Sequence, residues 1–71
     1  MDTRNIRAEI ARNGFINSYI GQFAGLKKSC IDARVAGKVD FRVEELIAIR
    51  DNCFPDCTLD YLAGCVSQRR I

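Results

Sequence analysis

The stretch GQFAGLKKSCIDARVAGK, residues 21–38, decides the fold. Leu26, Cys30, Ile31 and Val35 form an apolar series that restarts directly after Gly25 and closes at Ala36-Gly37. Steps of this kind mark one face of a helix, and a glycine just past the last apolar position is a common stop. The spacing therefore predicts a helix that breaks at Gly25 and another that follows almost at once. Two short helices joined by a glycine turn cross at a steep angle rather than stacking in line.

Upstream, Ile16, Ile20, Phe23 and Ala24 repeat at three- and four-residue steps until Gly25, which is a helix of about two turns. Before it, DTRNIRAEIARNG carries Ile6 and Ile10, a cap candidate at Asp2 or Thr3, and a stop at Asn13-Gly14. Its outer face is basic, with Arg4, Arg7 and Arg12. Downstream, VEELIAIRDNCF sets Val43, Leu46, Ile47, Ile49 or Arg50, and Cys53 on a helical stripe. Glu44 and Glu45 fall in its first turn, where the helix dipole favours carboxylates. Pro55 ends it, and Thr58 is a natural cap for TLDYLAG, with Leu59 and Leu62 inward and Gly64 as the stop. GKVDF is the only stretch that alternates like a short strand. The expectation is an all-α chain of five short helices, with one domain over residues 1–66 and a frayed tail, CVSQRRI, of which residues 67–71 lie beyond the domain.

A chain of 71 residues has room for one small core. The net charge of +2 is far from the basic excess that by itself implies nucleic acid. No apolar run approaches the ~20 residues of a membrane span, and MDTRNIRAEI lacks the apolar centre of a signal peptide, so a cytoplasmic location is expected. Cys30, Cys53, Cys57 and Cys65 then read as reduced thiols that pack as small hydrophobes. With no histidine and an unusual cysteine spacing, neither a metal site nor a cofactor is expected. Nor is an enzyme, since the chain has no histidine, no glycine-rich phosphate loop and no isolated carboxylate pair beyond the helix-starting Glu44-Glu45. Phe15, Tyr19, Phe23, Phe41 and Phe54 read mostly as core packing.

Between residues 13 and 46 the chain carries, without a gap, an amide at Asn17, then Ile20, Gly21, Gly25, Leu26, Ile31, Val35, Gly37-Lys38 and Phe41. In this pattern it resembles the helix-turn-helix domain of Cro and phage-repressor proteins. FPDCTLDYLAG is similar to the last helix of small Gram-positive phage repressors of that type. The resemblance implies a five-helix, lambda-repressor-like domain with its helix-turn-helix at about residues 16–36. It requires Gly21 to be small where the two helices meet, and Gly25 to supply the positive φ of the turn. It also implies a recognition helix over about residues 27–36 in the major groove of a double-stranded DNA operator.

On that resemblance Lys27, Lys28, Ser29, Asp32 and Ala33 face base edges or phosphates. Lysine donates to guanine, Asp32 accepts from cytosine N4 and Ala33 touches a thymine methyl. Asn17 grips the backbone, and Lys38 and Arg42 flank the next loop. A homodimer is implied, with Tyr61, Leu62 and Val66 of the last helix at its interface. The chain departs from the family at Ile16, Lys27 and Arg42, where helix-capping Thr or Ser is usual. The alternative is a protein-interaction module of the same fold, antirepressor- or antitoxin-like, which Asp32, the low net charge and the missing caps favour. DNA binding predicts that Arg12, Lys27, Lys28, Lys38 and Arg42 converge on one face.

Overall fold

Five helices and no strand form among residues 1–64, which the computed structural model describes. The first, α1 (Arg4–Asn13), is started by Asp2 rather than Thr3: the Asp2 carboxylate accepts the Arg4 N–H at 2.9 Å. After Gly14 come α2 (Asn17–Phe23) and α3 (Lys28–Val35), then α4 (Val43–Cys53) and a single turn, α5 (Leu59–Leu62). Thr58 caps α5 through its hydroxyl, which accepts the Tyr61 N–H at 3.1 Å. GKVDF is part of the loop between α3 and α4, not a strand. The frayed tail and the domain limit at 66 lie outside the described residues.

One core joins all five helices: Ile6 and Ile10 of α1, Ile20 of α2, Ile31 and Val35 of α3, Leu46, Ile49 and Cys53 of α4, and Tyr61 and Leu62 of α5. Each fully buried isoleucine contributes about 1.5–3 kcal/mol. Helix α2 packs on α3 and α4, α4 on α5, and α5 on α1. Cys53 and Cys57 are buried, as expected, and burial pushes the Cys53 thiol pKa up. Cys30 is only half-buried. Phe15, Tyr19, Phe23 and Phe54 form a chain of ring contacts with centroids 5.0–5.7 Å apart, of which Tyr19 is the exposed member.

Two expectations are corrected. Val43 does not join the buried stripe of α4 but stands 69% exposed. It is the first residue of that helix, and its side chain tilts back past the helix end, where no element covers it. Tyr61 and Leu62, expected at a dimer interface, are 5% and 0% exposed. Packing of α5 against α1 and α4 uses up their apolar surface, so a second copy cannot reach them. Val66 lies outside the described residues.

Candidate nucleic-acid interface

The angle between α2 and α3 is set by two glycines with different duties. Gly25 adopts φ +69°, and a Cβ there would meet nothing within 4 Å, so its role is conformational. Gly21 lies on the contact itself: a Cβ would come 3.0 Å from the Ile31 Cβ and 3.2 Å from the Leu26 carbonyl oxygen. The turn is closed by the Leu26 N–H, which donates to the Gly21 carbonyl at 2.9 Å. Ile20 and Ile31 are fully buried around the crossing and Leu26 is half-buried.

This packing turns the start of α3 outward. Lys27, in extended conformation at the N-cap, and Lys28 and Ser29 in the first turn are all exposed. Asp32 and Ala33 are half-buried. The Asp32 carboxylate takes Lys28 Nζ on one oxygen at 2.7 Å and the Asn17 amide on the other at 3.0 Å. The Lys28 bond, with the Asn17 bond second, holds the Asp32 carboxyl below its usual range. Asn17, Lys28 and Asp32 are thus brought into direct contact across the two helices.

Lys38 is linked to α3 through its backbone, its N–H donating to the Ala33 carbonyl at 2.9 Å. Arg42 is exposed at the N-cap of α4, and its N–H donates to Glu45 Oε1 at 2.9 Å. No side chain caps α2 or α3 at Ile16 or Lys27, as the sequence indicates, whereas Glu45 closes a capping box at the start of α4.

The chain matches no family model, no curated protein and no solved structure at a significant level.

Arg12 takes no part in this group. Its guanidinium is paired with Glu9 at 3.4 Å and lines a cleft with residues 53–57.

Sequence reasoning missed the link between α3 and α4. Arg34 Nε donates to Glu45 Oε1 at 2.9 Å, and another guanidinium nitrogen donates to the Cys30 carbonyl at 3.2 Å. Burial pushes the Glu45 carboxyl up, but the Arg42 N–H and the Arg34 guanidinium outweigh it and leave its pKa below 4.5. A glutamate three residues after a helix start is a readable signal, whereas its Arg34 partner carries none. Among the described residues no group of three or more His, Cys, Asp or Glu is placed to hold a metal ion. No described helix is long and apolar enough to cross a membrane. The exposed row offers ammonium and hydroxyl donors beside the positive end of a helix, which suits anionic oxygens and base-edge acceptors.

Proposed function

We propose that this chain is a sequence-specific double-stranded DNA-binding regulator of transcription, of the Cro and phage-repressor type, with α3 as the recognition helix in the major groove. One observation carries the reading: a short helix, a glycine turn at φ +69° and a second helix packed tightly on Gly21, with Lys27, Lys28 and Ser29 exposed at the start of the second. The first residues of a recognition helix are those that meet base edges. On this reading Ser29 and Ala33 face bases, and Lys27, Asn17, Lys38 and Arg42 lie toward phosphates.

Regulators of this type bind as two-fold dimers on half-sites about 34 Å apart. A homodimer therefore belongs to the proposal, on a surface other than Tyr61 and Leu62, and so does a cytoplasmic location.

The test is selection from a randomised duplex pool, followed by a salt titration on the winning and on a scrambled site. A palindromic winner preferred by ~10³ or more, with log K falling against log salt, is the expected result. Failure to enrich any site refutes the proposal in favour of a protein-interaction module of the same fold. The internal pairing of Lys28 with Asp32 favours that second reading, because it withdraws a cation from the face.

A further inference from the structure

The DNA reading gives Asp32 a cytosine to read, but both of its oxygens are already engaged. One accepts from Asn17 of α2 and the other from Lys28 of α3. An exposed pair four residues apart on one helix is ordinarily loose. Here the Asn17 amide holds the carboxylate from the neighbouring helix, so the negative charge is fixed beside the exposed row. Of the cations from Lys27 to Arg34, Lys28 is paired with Asp32 and Arg34 with Glu45. Each phosphate contact depends on a cation free to replace a counterion, and Lys28 is not.

We propose that Asp32 is a built-in competitor of the DNA phosphates: by holding Asn17 and Lys28 it keeps this face weak toward DNA of arbitrary sequence, leaving discrimination to Ser29 and Ala33. The inference rests on the DNA-binding reading, but its test does not require an operator. Asp32 acts through the two donors it holds, as a positioning residue, and not through a base.

The experiment compares wild-type chain with Asp32→Asn on a scrambled duplex over a range of salt. Asp32→Asn should bind roughly 3- to 10-fold more tightly at 50 mM salt, and its log K against log salt should steepen by about 0.9, the weight of one released cation. Adding Lys28→Ala to Asp32→Asn should remove the added slope. Unchanged or weaker binding of the scrambled duplex by Asp32→Asn overturns the inference, as does a loss confined to a selected site, which would mean that Asp32 reads a base. Asp32→Ser, with the same expectation, serves if Asp32→Asn folds poorly.

A second arm needs no DNA. Carbon-detected NMR titration should find Asp32 below the ordinary aspartate range, and Asn17→Ala should return it part of the way. An ordinary titration in the wild-type chain overturns the inference whatever the duplexes do. Failure to select an operator refutes the regulator reading alone; the scrambled-duplex gain then still decides the role of Asp32.

Discussion

At Gly21 the neighbours of an added Cβ are the Cβ of Ile31 and the carbonyl oxygen of Leu26, neither of which is the end of a flexible side chain. Gly21→Val should therefore destabilise the chain by about 2 kcal/mol through overpacking, a fall of roughly 10 °C in melting midpoint. A variant that melts like the wild type would show that α2 and α3 are not so closely packed. Glu45 gives a pH-dependent prediction. Its folded pKa lies below the ordinary 4.5, so its stabilisation is fully present above that value and is lost as pH falls through the folded one. Glu45→Gln should cost about 2 kcal/mol at neutral pH, and the gap to wild type should close as pH drops below 4.5 in acid denaturation curves. The two residues differ in how readable they are. Gly21 and Gly25 declare themselves by spacing alone, because a turn and a close approach both need a residue without Cβ. The partnership of Glu45 with Arg34 depends on how α4 lies across the end of α3, and no local pattern encodes that angle.

Two of the five helices, α2 and α3, start without a side-chain cap, at Ile16 and Lys27. Ile16 is 67% exposed, so replacing it surrenders little burial. Ile16→Ser should stabilise the chain by about 1 kcal/mol, seen as a rise of roughly 4–8 °C in melting midpoint. Lys27→Ser should give a similar gain, since it adds a cap and removes a cation from the positive end of α3. On the DNA reading it should also weaken duplex binding and lower the salt slope by about 0.9; tighter binding would count against that reading. The elements were legible because apolar steps and glycine stops agree along the chain. What misled was the edge of the pattern: Val43 has the right spacing for the α4 stripe, but a first-turn residue has no preceding turn over which to fold its side chain. The two helices and the glycine turn between them followed from the sequence, whereas the Asn17–Asp32 bond between those helices did not.

For the molecule as a whole, the ends of the described chain are tied together by polar contacts that sequence patterns do not announce. The Asn5 amide donates to the Tyr61 carbonyl at 2.9 Å, and the Tyr61 hydroxyl donates to Glu9 at 3.0 Å. Glu9 of α1 is 2% exposed, because α5 closes over it. Tyr61→Phe keeps the ring packing and removes the hydroxyl, so thermal denaturation should show a loss of about 1–2 kcal/mol. No loss would mean that the hydroxyl bond to Glu9 adds nothing to the contact between α1 and α5. The homodimer surface was misread at this scale: Tyr61 and Leu62 look like spare apolar surface on a short last helix until α1 and α4 are seen to consume it. A division of labour within α3 has a wider consequence. Ile31 and Val35 anchor the helix, while Lys27, Lys28 and Ser29 bear none of the core. On the DNA reading, the scaffold and the message it displays can thus be edited separately, and a lineage, or a designer's library, could re-target this helix without first having to rescue the fold.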